Sequence, residues 1–119
     1  MKNLTALAYE WALRCFGENH VANLPLRALR IAEECVEFAQ ACDVPKEKMM
    51  QLIDVVYSRP KGTPKQELGG IMMTTAVVCA RFNSDPETIL LAELQRCLAK
   101  PVDEFKKRNE EKLKLGLDF

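Results

Sequence analysis

The stretch Arg30-Ile-Ala-Glu-Glu-Cys-Val-Glu-Phe-Ala-Gln40 places three carboxylates in a segment that otherwise has the apolar content of a core-facing helix. In a helix, Glu33, Glu34 and Glu37 project from adjoining positions on one face, because they are three and four residues apart. Like charges at this spacing repel, and partial burial raises the cost unless a cation neutralises them or their pKa values rise. The alternative is a solvated acidic stripe, since glutamate is a good helix former.

The side chains of this cluster suit a hard divalent cation. Carboxylate oxygens are the ligands that Mg²⁺ prefers, with Mn²⁺ as an alternative, whereas zinc more often takes nitrogen and sulfur. The cysteines offer no zinc or redox pattern, since their number is odd, no pair has CxxC spacing and each lies among apolar residues. We therefore expect small, reduced core residues at Cys15, Cys35, Cys42, Cys79 and Cys97.

Length and composition describe one modest soluble domain over residues 1–119. The chain is 48% hydrophobic and 29% charged, and its 17 basic and 17 acidic residues cancel. This balance leaves no electrostatic footprint for a nucleic acid or an anionic membrane. The first residues lack a signal-peptide layout, and no apolar run approaches the roughly 20 residues needed to span a bilayer. We expect a cytoplasmic protein without a membrane or nucleic-acid partner.

The break residues and the apolar spacing predict an all-α fold, a compact bundle of about five to six helices. Glycine is scarce, and the prolines lie mainly at apparent element boundaries. Asp43 is the expected N-cap of the third helix, and Ser84 or Asp85 that of the fifth. The predicted helices are 4–16, 25–42, 45–57, 64–81, 86–99 and a charged segment over 102–114.

The apolar residues of helices 45–57 and 64–81 predict how these two helices pack. The first is expected to turn Met49, Leu52, Ile53, Val56 and Tyr57 inwards. The second is nearly apolar all round, which places it either centrally in the core or at a subunit interface. The pair Gly69-Gly70 lowers helix stability there, so the position requires either close backbone approach or open space. Helix 86–99 is expected to bury Ile89, Leu90, Leu94, Cys97 and Leu98.

The only histidine and one basic loop are further candidates. His20 is expected in the loop after the first helix; without a paired partner, an incidental role is more common than a ligand or acid–base role. The loop of residues 58–63 places Arg59 and Lys61 before a helix start, with Thr63 as N-cap and Gln66 closing a capping box. Two cations beside free backbone N–H groups suit an anion; a solvated basic turn is the alternative.

Two acidic patterns resemble a known family. Glu33-Glu34-Cys-Val-Glu37 matches an EExxE pattern, and Glu67-Leu-Gly-Gly70 opens a later helix where an ExxD pattern is expected. With the junction Arg59-Pro-Lys-Gly-Thr-Pro-Lys-Gln-Glu-Leu-Gly-Gly70, the chain resembles the short phage-borne and bacterial MazG-like proteins. These belong to the all-α nucleoside triphosphate pyrophosphohydrolase superfamily, and the resemblance covers about residues 26–112.

The resemblance implies a four-helix core, a homodimer or homotetramer, and Mg²⁺-dependent hydrolysis of a (d)NTP to the monophosphate and pyrophosphate. Carried over by position, Glu33, Glu34, Glu37 and Glu67 are the implied metal ligands, and one carboxylate orients or deprotonates the attacking water. Contacts to the nucleotide phosphates are implied for Arg59 and Lys61, and more weakly for Lys107, Asn109 and Lys112.

The chain departs from this family pattern at Gly70, where aspartate is expected. Glu93, a carboxylate in the apolar run of helix 86–99, is the candidate substitute; an exposed helix residue is the alternative. The departure also leaves open a catalytically degenerate nucleotide-binding or oligomeric scaffold module. Nucleic-acid binding through residues 106–114 is disfavoured, because the charged segment 102–114 mixes acidic with basic residues. Such a mixture is typical of a solvated helix with ion pairs, whereas a nucleic-acid site needs an excess of positive charge.

Overall fold

The prediction of an all-α fold is confirmed by a computed structural model, which describes residues 3–118. Helices make up 79% of the described residues, and no strand occurs among them. The predicted bounds of the first, fourth and last long helices are correct, the second differs by one residue at both ends, and the third and fifth differ by one residue at one end. In chain order, the seven helices of residues 3–118 are α1 (Leu4–Phe16), α2 (Glu18–Ala22), α3 (Leu24–Ala41), α4 (Lys46–Tyr57), α5 (Pro64–Arg81), α6 (Pro86–Leu98) and α7 (Val102–Lys114).

Most helix boundaries follow local chemistry. Gly17, at φ 84°, ends α1 in a backbone conformation that glycine adopts without strain. The side chains of Asn3, Asn23 and Asp85 accept hydrogen bonds from backbone N–H groups in the first turns of α1, α3 and α6.

One predicted cap is wrong, and another is confirmed in position but not in its hydrogen bonds. Asp43 does not cap α4; it adopts φ 64° in the turn, and Pro45 occupies the N-cap position. Asparagine and aspartate tolerate this left-handed conformation, so Asp43 supplies the positive φ of the turn and does not cap the helix. Thr63 is at the N-cap of α5, but among residues 3–118 its side chain makes no capping hydrogen bond, and the expected capping box with Gln66 is absent.

Removing one cap tests this account of the boundaries. Asn23→Ala should lower the free energy of unfolding by about 1 kcal/mol, because the Asn23 Oδ1 accepts the Leu26 N–H at 3.2 Å. Denaturant unfolding at one fixed protein concentration measures the change. Asn19→Ala, on the exposed side of α2, is the control, and equal effects of the two substitutions would contradict the capping role.

The buried centre lies where α1, α6 and α7 meet. Cys15, Cys97 and Phe105 form its interior, with Trp11, Phe16 and Val102 packed around them. The Trp11 ring makes edge-to-face contacts with Phe16 at 5.6 Å and with Phe105 at 4.9 Å between centroids. This core fixes α7 against α1 and α6, and so sets the position of the polar residues on its other faces.

The prediction for the cysteines is correct at three positions and wrong at two. Cys15, Cys79 and Cys97 are buried, whereas Cys35 and Cys42 are exposed; all five thiols are free. The exposed pair lies on the second half of α3, which extends beyond the core. The expectation that this stretch faces a core is therefore also wrong for the protomer, since Leu26 and Arg30 are the only buried residues of α3.

The apolar faces of α4 and α5 are exposed. Not one of the twelve described residues of α4 is buried, and Tyr57, expected to point inwards, is 86% exposed. In α5 only Cys79 is buried, so a central place in the protomer core is excluded. Gly69 and Gly70 face open space. Large exposed apolar residues on α4, α5 and α6 include Met50, Leu52, Ile53, Val55, Val56, Leu68, Met72, Met73, Val77, Ile89, Leu90 and Leu98.

Candidate functional site

Three helices enclose a cleft of about 470 Å³ that is rich in charge. α3 supplies three glutamates, α6 supplies one glutamate and one arginine, and α7 supplies the remaining side chains. We call it the acidic cleft; it is lined by Glu33, Glu34, Glu37, Glu93, Arg96, Arg108, Glu111, Lys112 and Leu115.

Five of the side chains that the sequence singled out meet in this cleft. Glu33, Glu34 and Glu37 share one face of α3, as their spacing predicts. Glu93 lines the same cleft from α6, and Lys112 lines it from α7. Arg96, Arg108 and Glu111 were missed. Spacing along the helices could have indicated two of them. Arg96 is three residues after Glu93 and Arg108 is four residues before Lys112, so each shares a helix face with a residue that the sequence had singled out.

An ion pair joins α3 to α7 within the cleft. Lys112 Nζ lies 3.0 Å from Glu33 Oε1, and about two thirds or more of each side chain is shielded from solvent. The same Glu33 oxygen is buried, and within the described chain no donor reaches it with hydrogen-bond geometry. Lys112 is thus the counter-charge of Glu33, and a metal cation at this oxygen would have to displace or share the ammonium group.

A second pair lies within α6. Arg96 donates through Nε to Glu93 Oε1 at 2.7 Å and through Nη2 to Glu93 Oε2 at 2.6 Å. These hydrogen bonds lower the pKa of Glu93. Both side chains are about half exposed, so the pair contributes little to stability, and its exchange for another cation costs correspondingly little.

The pKa of Glu34 reflects its burial and the negative charges around it. Burial raises the pKa of its carboxyl, and the neighbouring Glu37 and Glu33 raise it further. Glu93 adds a smaller upward contribution, and Lys112 opposes it. A cation placed among these carboxylates would reverse the effect.

The raised pKa of Glu34 predicts a pH dependence of stability. Between its unfolded and folded pKa values the unfolded chain releases the proton first, so the contribution of this group to stability falls as pH rises through that interval. In chelator-containing buffer, Glu34→Gln should therefore unfold at the same or a slightly higher temperature than the natural protein, with the difference appearing as pH rises. Thermal unfolding from acid to neutral pH measures it, with Glu111→Gln as control. A large loss of stability in Glu34→Gln would contradict the prediction.

Four predicted site residues lie elsewhere in the protomer. Glu67, in the first turn of α5, contacts Gly62 of the preceding loop and does not line the acidic cleft. Arg59 and Lys61 are exposed in the loop between α4 and α5, and Lys107 is exposed on α7. The protomer alone therefore does not assemble the full set of residues that the family resemblance implies.

Asn109 and His20 form a separate polar group. His20 Nε2 lies 3.1 Å from Asn109 Oδ1, and Arg30 Nη2 donates to the same oxygen at 3.4 Å. The expectation of a loop histidine without a partner is wrong: His20 belongs to α2, is only 9% exposed and stacks on Phe16. A five-residue helix is too short to reveal itself by apolar period, which is why the sequence did not indicate it.

The donor set of the acidic cleft suits Mg²⁺ in chemistry. It consists of carboxylates, and Glu34 among them faces the negative charges of Glu37 and Glu33. In the side-chain arrangement of residues 3–118, however, no three His, Cys, Asp or Glu side chains converge closely enough to hold an ion. Lys112 and Arg96 are the counter-charges of Glu33 and Glu93, so these two ion pairs would have to open.

The fold and the cleft together define an all-α protein with an acidic cleft built by three of its helices. Its sequence matches no protein-family model, and no curated protein or solved structure is significantly similar to it. None of the helices within residues 3–118 is both long and apolar enough to cross a membrane.

Proposed function

We propose that the protein is a Mg²⁺-dependent nucleotide pyrophosphohydrolase that converts a (d)NTP to the (d)NMP and pyrophosphate. The supporting observation is the acidic cleft, where the EExxE glutamates Glu33, Glu34 and Glu37 meet Glu93 beside several cationic side chains. The resemblance to MazG-like proteins supplies the reaction, and the composition of the cleft is consistent with it.

In this proposal, Glu33, Glu34 and Glu37 hold the metal, with Glu93 as the substitute for the carboxylate that Gly70 lacks. A divalent cation bound there would neutralise phosphate charge and lower the pKa of a bound water. The protein's own contribution is the carboxylate that orients or deprotonates the water. Arg108 and Lys112, at the α7 side of the cleft, are the nearest cations for the phosphates of the substrate.

A second copy of the chain is part of the proposal. A self-contained protein of 13.5 kDa has a solvent-accessible area of about 6,500 Å², whereas this protomer has 9661 Å². The excess is comparable with the area that obligate oligomers bury. Ten of the 24 large apolar side chains that are exposed among the described residues lie on α4 and α5. Exposed apolar surface on this scale marks interaction sites.

The same two helices carry the residues that the acidic cleft of their own protomer lacks. Glu67 lies at the start of α5, and Arg59 and Lys61 lie in the loop between α4 and α5. In a symmetric homo-oligomer a surface on one copy meets a surface on the other. We propose that the α4–α5 segment of one copy approaches the acidic cleft of its partner. Glu67, the implied metal ligand, and the cations Arg59 and Lys61 would then lie at the partner's cleft.

A degenerate helical module is the second candidate. It is favoured by Gly70, by the absence of a fourth motif carboxylate near the cleft in the protomer, and by the pairing of Glu93 with Arg96. Such a module would bind a nucleotide or serve as an oligomeric scaffold without turnover.

Product analysis separates the two candidates. Purified protein is incubated with Mg²⁺ and each common NTP and dNTP, and pyrophosphate and monophosphate are quantified. Equimolar products that disappear with a chelator are expected. If no nucleotide is hydrolysed and calorimetric titration finds no Mg²⁺ binding, the pyrophosphohydrolase proposal is wrong and the degenerate module is favoured.

A further inference from the structure

A group of basic and amide side chains is buried between α2, α3 and α7. We call it the buried basic cluster, and it consists of His20, Arg27, Arg30 and Asn109. His20 and Arg30 are each only 9% exposed. It lies beside the acidic cleft, because Arg30 is three residues before Glu33 on α3 and Asn109 is three residues before Lys112 on α7.

The hydrogen bonds within the cluster leave donors unused. The single oxygen Asn109 Oδ1 faces both His20 Nε2 and Arg30 Nη2. Within the described chain, Arg30 Nη1 is a buried donor without a hydrogen-bond partner. His20 Nδ1 is also buried without a partner, but in a neutral ring whose Nε2–H donates to Asn109 Oδ1 it is an acceptor. Because the Asn109 oxygen accepts, its amide NH₂ group remains available as a further donor.

The cluster also lacks a counter-charge. The ion pairs found among residues 3–118 do not involve Arg27 or Arg30. A buried guanidinium without an anion is costly, since its desolvation is not offset. Burial lowers the pKa of His20, Arg27 lowers it further, and Arg30 contributes in the same direction, so the ring tends to be neutral and adds no second charge. An anion is the ligand that would compensate this arrangement.

We infer that the buried basic cluster binds a phosphate group, with Arg30 as the main donor and His20 and Asn109 as positioning partners. The planar guanidinium matches phosphate with two parallel hydrogen bonds. An open cleft of about 440 Å³ between α1 and α7 borders the cluster at Asn109. Phe16, which stacks on His20, also lines this cleft, together with the cations Arg14 and Lys106 and the carboxylate of Glu110.

This inference rests on the proposed function for the identity of the ligand. Along both α3 and α7 the cluster is about one helical turn, roughly 5 Å, from the acidic cleft. One nucleotide could therefore place its metal-bound phosphates in the acidic cleft and another phosphate group in the cluster. Free pyrophosphate, the proposed product, carries the same chemistry.

His20 provides a direct probe, because it is the only histidine. Its ring signals are followed by NMR in metal-free, chelator-containing buffer while pyrophosphate, inorganic phosphate or a nucleoside monophosphate is added. Binding should shift the ring signals and raise the pKa of His20, because the anion offsets Arg27 and Arg30. The tightest of the three ligands shows whether the site takes the pyrophosphate or the nucleotide side of the substrate.

Arg30→Gln should weaken this binding by about tenfold or more, since charge-assisted hydrogen bonds to the anion are lost. Arg81→Gln, at the exposed end of α5, should bind as the natural protein does. If Arg30→Gln fails to fold, Arg30→Lys replaces it. Lysine keeps the positive charge but cannot form the two parallel hydrogen bonds of a guanidinium, so this variant should bind the anion measurably more weakly than the natural protein does. Circular dichroism and molar mass identify folded, assembled protein.

Absence of a His20 shift with all three anions would overturn the inference, as would equal affinity in folded Arg30 variants. Dissociation of the oligomer by Arg30→Gln, without anion binding by the natural protein, would assign the guanidinium to a carboxylate of a second copy and would also overturn it. Anion binding and turnover are measured separately, so failure of the enzyme proposal is distinguished from failure of this site. Arg30-dependent binding without turnover refutes only the enzyme, and turnover without such binding refutes only this site.

Discussion

Glu37→Gln is expected to abolish Mg²⁺-dependent pyrophosphate release, with a loss of at least about 100-fold in turnover. Glutamine keeps the shape of the side chain but removes the charge that a hard cation requires of its ligand. Glu37 lines the acidic cleft and is exposed at its rim, so its replacement removes no described packing or ion pair. The loss should therefore fall on metal affinity and turnover. Parallel measurement of Mg²⁺ titration and product formation tests this.

Glu87→Gln is the matched control. Glu87 is an exposed glutamate in the first turn of α6, outside the cleft. It should leave turnover unchanged, and both variants should unfold near the temperature of the natural protein in metal-free buffer. Full activity of Glu37→Gln would remove this residue from the proposed site. A much lower unfolding temperature without metal would show that the carboxylate is structural.

Met73→Glu is expected to dissociate the oligomer. Met73 is 72% exposed in the protomer, so a charge there leaves the protomer core intact but opposes burial against a second copy. Burial of a single methionine contributes about 1.5 to 3 kcal/mol, and the α4–α5 surface holds many side chains of this kind. Light scattering coupled to gel filtration should change from a multiple of 13.5 kDa to about the mass of one chain.

Tyr9→Glu, on the exposed face of α1, should leave the molar mass of the assembly unchanged. If the natural protein is itself monomeric at tens of micromolar, the proposed second copy is wrong. Turnover adds a further test: if the α4–α5 segment completes the partner's acidic cleft, Met73→Glu should lose activity together with mass, whereas Tyr9→Glu should retain both.

The helices could be predicted closely because their signals are local. Pro64, Pro86 and Pro101 precede or open helices whose apolar spacing then runs without interruption. The cap predicted at Asp43 was wrong, and the N-cap predicted at Thr63 was right in position but makes no side-chain capping hydrogen bond. A turn can form or omit such bonds without changing the helix boundary by more than a residue.

The direction in which an apolar face points was harder to predict. Periodicity shows that Leu52, Val56 and Tyr57 share a face of α4, but it does not identify what covers that face. We assigned the face to the protomer core, and in the protomer it is exposed. A sequence contains the same pattern whether the covering surface belongs to its own chain or to a second one.

Only part of the candidate site could be predicted, because spacing along one helix is visible in the sequence and packing between helices is not. Glu33, Glu34 and Glu37 lie on one helix, so spacing alone placed them together. The proximity of Glu93 and Lys112 to them depends on the packing of α6 and α7. The contact of His20 with Asn109 joins residues 89 positions apart in the chain. No local pattern indicates such a contact.

α4 has a consequence for how the protein behaves at different abundances. A helix of twelve residues is only marginally stable by itself in water, and none of its described residues is buried by the protomer. In the proposed assembly, the order of α4 would come largely from association, and the folding of this helix would depend on the protein's own concentration. A dilute protomer would lose structure there first and present an apolar segment to proteases and chaperones, so that cellular dosage becomes part of what keeps the molecule intact.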